Sequence, residues 1–380
     1  MPRLARVVCR AGITGAFDEA ARQLEEDHGV VVGGETVRRV TESVGMVAEA
    51  AHQEDRARAR RGALTRPPGG AVAMVVAVHG CQAPLRDGWH EMKVGRAAPL
   101  GPALRTDHRS GRTFLAWGEA AVCATLEGAE DFWWRVAVTA WHGGLGQQTR
   151  RVVVLGDGAE WIWNRAAHFL GGPGITVVEI LDLFHAYEHL WEAGRAVFDA
   201  PDALAAWAEP LKDALYEEGA PAVLAALDVL AAQPLALAAA EVLRREHAYF
   251  ADNAARMDYS CFVAQELPIG SGAVESLCKT LIEAREKGAG MRWTRARSNC
   301  RYPARLGRWG CLLGDPPAAD TPPAVPPGPP TSAGPTLAPP LARPTPPVAE
   351  PLPSVTPIPA HHPAATHPWR RTPLGRACCA

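Results

Sequence analysis

The sequence predicts an α/β fold on three observations. Strand-length apolar runs alternate with helical segments between residues 67 and 183, an Ala- and Leu-rich helical stretch follows, and proline-rich sequence closes the chain. At 380 residues the chain can hold two domains with a sizeable core, and its 47% hydrophobic content is ordinary for a globular protein. No apolar run reaches the ~18 residues of a spanning helix, and MPRLARVVCR lacks the long apolar core of a signal peptide. No membrane partner is therefore expected. The nine cysteines are scattered without a CxxC pair, as suits small buried hydrophobes in a reducing cytoplasm. A net charge of −2 argues against a uniformly basic nucleic-acid binder.

Residues 1–66 read as helices, with a Gly-rich turn before Glu35 and Thr36 that fits a helix-turn-helix and a plain helical hairpin alike. Arg56, Arg58, Arg60, Arg61 and Arg66 cluster at their end, as a phosphate footprint or, taken alone, a solvated face. RPPGG at 66–70 marks a boundary. Then come the strand AVAMVVAV, the turn PLRDG, the strand WHEMKV and the strand RTFLAWG. A helix from about Glu119 to His142, the strand RVVVL, a helix from Trp161 to Phe169 and the strand ITVVEIL complete the series. Three strands, helix, strand, helix, strand, helix is the order of a ribonuclease H-like core, a meander extended by right-handed parallel crossovers.

The core is assigned to 67–183 and 259–297, interrupted by an all-helical insertion at 184–258. From Asp315 onward lie 21 of the 34 prolines, so 298–380 is expected to be a disordered tail.

Candidate chemistry gathers at strand ends. PIGSGAVESLCKT delivers Glu275 from a small-residue turn into what reads as a long helix, with Gly270 and Gly272 free to take positive φ and Ser271 or Ser276 available as caps. Asp157 follows the strand RVVVL and precedes Gly158, at the edge where open α/β sheets place their chemistry. Two-metal phosphoryl transfer needs several convergent carboxylates, and Asp157 and Glu275 are two candidates for metal ligands. The position ending the first strand is His79, which supplies neither the anionic oxygen nor the bridging pair that Mg²⁺ prefers. Asp87, in the hairpin turn, is an alternative acid.

ILDLFHAYEHLWE adds Asp182, His185, Glu188 and His189. HAYEH is literally the HxxEH zinc-peptidase pattern, with His185 and His189 as ligands, Glu188 as base and Glu266 as a third ligand; a polar helix start is the competing reading. Asp182 and His185 also suit an accessory role, orienting a metal ligand or scissile phosphate. Arg292, Trp293 and Arg295 fit phosphate contact and stacking, or a solvated helix end with one packed Trp. Trp161 and Trp163 read as core.

With these residues in place, the chain resembles bacterial insertion-sequence transposases of the ISKra group. The matching segments are GWHEMKVG, LGDGAEWIWN, ILDLFHAYEHLWE, YFADNAARMDYS, PIGSGAVESLCKT and KGAGMRW, in order over roughly residues 72–295. The resemblance implies a DDE catalytic core on a ribonuclease H-like fold, with Asp157 as second aspartate, Glu275 as the glutamate, and Asp182 and His185 as an accessory Asp-x-x-His. It further implies two Mg²⁺ or Mn²⁺ ions, DNA ends and target DNA as partners, a homo-oligomer on DNA, and a cytoplasmic, nucleoid-associated location. Two departures matter. His79 stands where the family carries its first aspartate, which predicts impaired catalysis, and the sequence after GMRWTRA departs as a frame-shifted copy would. The amino terminus is also short for the family. A non-catalytic DNA-binding remnant is the second expectation and a zinc metallopeptidase the third.

Overall fold

The computed structural model describes residues 3–13, 15–106, 113–283, 287, 293 and 294. The proline-rich tail, Arg292 and Arg295 lie outside them. Three helices open the chain: α1 (Arg3–Gly12), α2 (Phe17–His28) and α3 (Gly34–Arg60). Val8, Ala20, Ala21, Leu24 and Val37 bury a shared apolar seam between them. α1 lies inside the stretch read as helical from the sequence.

Of the arginines at the end of α3 and just after it, Arg58, Arg60 and Arg61 are exposed, as a solvated face would be, while Arg56 and Arg66 turn inward. Arg56 is 5% exposed and reaches Glu49 and Glu127, Arg60 pairs with Asp131, and Arg66 donates to the Gly171 carbonyl. They clamp α3 and the segment after it onto the α/β core.

That core is a mixed sheet of β1 (Ala73–Leu85), β2 (Gly88–Thr106), β3 (Thr113–Trp117), β4 (Ala121–Thr125), β5 (Arg151–Gly156) and β6 (Thr176–Leu181). Its order is β3-β2-β1-β5-β6, with β4 also on β2. Because β4 pairs with Lys93–Ala97 and β3 with Leu100–Thr106, the two lie end to end along one edge of β2. They act as a single third strand broken at Gly118–Ala120. β1 pairs antiparallel with β2 and parallel with β5, and β5 is parallel to β6. Met74 to Val78 are all 0% exposed, which explains their unbroken apolar run, since a central strand buries both faces.

Two boundaries differ from expectation. The helix expected from Glu119 starts only at Ala129, because Ala121–Thr125 takes the free edge of β2 instead; tertiary pairing overrides the helical leaning of its alanines. The first hairpin is longer than expected, with Leu85 opposite Gly88 and only Arg86 and Asp87 in the turn.

Helices α4 (Ala129–His142), α5 (Glu160–Leu170) and α6 (Leu183–Arg195) alternate with β5 and β6. Trp163 is 8% exposed and Trp161 packs against the core, as read from the sequence. Helices α7 (Pro201–Glu218), α8 (Ala220–Ala231), α9 (Leu237–Asn253) and α10 (Tyr259–Ala264) come between α6 and α11 (Gly272–Leu277). The helix carrying Glu275 changes character along its length: α11 has six residues and continues directly as π-helix over Cys278–Glu283, where the described part of the segment ends. Among the described residues no helix is long and apolar enough to cross a membrane.

Candidate functional site

The registers of three adjacent parallel strands converge on one sheet edge. Ala77 pairs with Leu155 and Gly156 with Leu181, so continuing the strands brings His79, Asp157 and Asp182 level. Asp157 leaves β5 through a turn in which its Oδ1 accepts from the Ala159 amide at 3.1 Å. Gly158 holds φ +96°, and a Cβ there would lie 2.5 Å from the Tyr249 ring. The Tyr249 hydroxyl in turn donates to the Asp157 carbonyl at 3.0 Å. The turn that aims Asp157 is thus fixed by α9.

His79 Nδ1 lies 3.3 Å from Asp157 Oδ2, an ion-pair distance without the alignment of a hydrogen bond. The His185 ring stacks parallel to His79, with centroids 5.3 Å apart and planes at 6°. His185 Nδ1 is 3.1 Å from Glu188 Oε2, while its Nε2 is buried without a hydrogen-bond partner. His79, Asp157 and His185 each offer a ligand atom within 4.8 Å of the others.

Charge follows this geometry. Burial works against the Asp157 carboxylate, but His79, then His185 and the Ala159 amide, pull its pKa below the ordinary value. Burial also opposes the His185 imidazolium, yet Glu188, Asp182 and Asp157 lift its pKa to about 9. In this state the imidazolium supplies the positive charge at the centre. Glu275 is half-buried in the first turn of α11, and burial, then the Asp182 charge, raise its pKa while His185 and His79 oppose them. It shares the field of the cluster but is not among its three close ligand groups.

Asp182 works through the backbone. Fully buried, its Oδ1 accepts from the amides of Phe184 at 2.7 Å and His185 at 3.3 Å, and its Oδ2 accepts from the Ser271 amide. Both oxygens are engaged, so it caps α6 and ties down the turn before α11. That turn needs no positive φ at Gly270 or Gly272; the positive φ outside glycine, +59°, belongs to Glu266. Space at Gly270 is tight, since a Cβ would meet the exposed Phe184 ring at 3.1 Å and press it aside by a few tenths of an ångström. Ser271 stands at the N-cap position, but its side chain makes no capping bond.

Other expectations separate from the site. Asp87 sits in the hairpin turn against His90, about 20 Å of strand beyond His79, too far to replace a ligand there. The zinc-peptidase ligand pair does not form: His189 turns to Glu246 at 2.5 Å and stacks on Tyr249, away from the group containing His185. Glu266 is exposed and outside that group. Trp293 runs beside the end of β1, where its carbonyl accepts from the Arg86 amide at 2.9 Å, and its ring packs against the core.

Sequence reasoning also missed what YFADNAARMDYS does. Tyr249 buttresses Asp157, while Arg256 pairs with Glu179 on β6 at 2.8 Å and lies over the Trp163 ring. Polar residues on an insertion helix gave no local signal of that docking. No known protein family matches the sequence, and no curated protein matches it.

Proposed function

We propose that this chain is a DNA transposase by descent, with a ribonuclease H-like core that is catalytically impaired at His79. The observation that carries the reading is Asp157 at the carboxyl end of a parallel strand, level with position 79 of the neighbouring strand. Glu275 is brought to the same edge from beyond a helical insertion, and the sheet order, with β3 and β4 counted as one, is that of the proposed core. The ordered resemblance of long segments to the ISKra group supports it further.

The residues present do not fit a pair of Mg²⁺ ions. Such a pair needs several carboxylates, one of them bridging, and two of the three close groups here are imidazoles. No cleavage step is therefore assigned to the chain as it stands. Its proposed remaining competence is recognition of DNA ends as a homo-oligomer, with Arg292, Trp293 and Arg295 as candidate contacts and strong salt dependence.

The test is cleavage of DNA carrying the repeats that flank the gene, in Mg²⁺ and in Mn²⁺, by the unaltered chain and by His79→Asp. Cleavage by the variant alone is expected. Salt-sensitive, end-specific binding without cleavage by either chain would favour the binding-only remnant, and absence of both would sink the transposase reading.

A further inference from the structure

We infer that His79, Asp157 and His185 form a binding site for one borderline divalent ion of the Zn²⁺ class, not for Mg²⁺. The donor set is two imidazole nitrogens, with His185 releasing its Nε2 proton to solvent as the ion takes over the positive charge, and one carboxylate oxygen, from three different elements of the fold. Imidazole suits Zn²⁺ and Co²⁺, whereas Mg²⁺ seeks an octahedron of oxygens.

Three features of the geometry support this assignment. Zn–N and Zn–O bonds of about 2.0–2.1 Å put neighbouring ligands of a tetrahedral ion roughly 3.3–3.4 Å apart. His79 Nδ1 and Asp157 Oδ2 are already 3.3 Å apart, one edge of such a tetrahedron. The second feature is the pair of nitrogens: His185 Nε2 and His79 Nδ1 are both buried without a hydrogen-bond partner, an arrangement that usually costs stability unless something occupies them. Third, Glu188 holds His185 through its other nitrogen. A proton on Nδ1 directed at Glu188 leaves the Nε2 lone pair facing the cluster, the carboxylate–histidine–metal relay that orients metal-bound imidazoles.

The surroundings hold part of the site in place. The cap from Asp182 to the His185 amide and the buttress from Tyr249 to the Asp157 carbonyl fix the backbone of two of the ligands before any ion arrives, and ligation by both nitrogens requires one imidazole to turn out of the parallel stack. Asp182 itself is not a ligand, because both its oxygens are committed to amides. Three protein ligands leave a fourth position for water or for a group from a bound partner.

The experiment is titration of the full chain with Zn²⁺ and with Co²⁺ in excess Mg²⁺, read by calorimetry and by the Co²⁺ absorption spectrum. One equivalent is expected, with intense d–d bands, no thiolate-to-cobalt charge transfer, and no displacement by Mg²⁺. His79→Gln and His185→Gln should each weaken binding by more than tenfold. Glu188→Gln, whose side chain is half exposed and safe for folding, should weaken it by about 10–100-fold.

Absence of binding, displacement by Mg²⁺, or an equivalent that survives in the His79→Gln/His185→Gln double variant would overturn the assignment. The last outcome would place the metal elsewhere, for instance at His361 and His362 or at Cys378 and Cys379. Metal binding and DNA cleavage are separate readouts. Zn²⁺ binding without DNA recognition leaves this site standing and removes the transposase reading, and Mg²⁺-dependent cleavage without Zn²⁺ binding does the reverse.

Discussion

The carboxylate of Glu49 on α3 receives two hydrogen bonds of 2.7 Å from the guanidinium of Arg135 on α4, and Arg135 is 1% exposed. The α3 end of the amino-terminal region is therefore fastened to the α/β core by a forked ion pair inside the protein. Glu127 and Arg56 extend it into a four-residue network. Glu49→Ala leaves a buried guanidinium without its main partner, at a cost of about 3–5 kcal/mol. Thermal or urea unfolding checks this; a change below about 1 kcal/mol would show the pair to be ornamental.

The same interface makes stability fall in acid, in two stages. His52 is 2% exposed, and burial, then Arg135 and Arg56, push its pKa well below 6.5. The unfolded chain gains a proton there first, so stability is fully present above pH 6.5 and declines as pH falls through it. Glu127 adds a later stage. Burial opposes its charge, but Arg135 and Arg56 prevail and hold its pKa below 4.5, so its contribution is lost below that value. His52→Gln should flatten the first slope and Glu127→Gln the second, in melting temperatures taken across pH.

Gly158→Ala should destabilise the turn beneath Asp157. At φ +96° an L side chain is strained by about 1–2 kcal/mol, and the added Cβ would also press on Tyr249. Tyr249→Ala in the same chain relieves the clash but not the strain, so denaturation of the double variant should show less than the sum of the single costs.

Asp182→Ala removes the cap of α6, worth about 0.5–2 kcal/mol, and leaves the Ser271 amide without its acceptor, worth about 1–3 kcal/mol more. Zn²⁺ affinity should fall together with stability although no ligand is changed. Unchanged affinity in this variant would mean that His185 is positioned without the cap.

Much of the fold was legible because its strands and helices announce themselves by period. Met74–Val78, Val152–Leu155 and the alternating helices needed no tertiary information. Ala121–Thr125 did, since nothing local distinguishes it from the start of a helix until β2 offers it an edge. Asp157 and His185 were legible as chemistry at strand ends, but their proximity to His79 depends on strand register, which no single segment carries. Arg56 misled for a related reason: within an otherwise exposed charged run it looks solvated until Glu49 and Glu127 are found opposite it.

The hydrogen bond from Ser271 to Asp182 spans 89 residues and encloses helices α6 to α10 within its loop. The strand edge bearing His79 and Asp157 closes through the pairing of β1 with β5, whose partners, such as Ala73 and Arg151, lie almost as far apart in sequence. Since a doubling of loop length costs only about 0.6 kcal/mol of closure entropy, loop length sets no order between the two closures when the whole chain refolds. During synthesis the order is set by the chain itself, and the edge emerges before its glutamate.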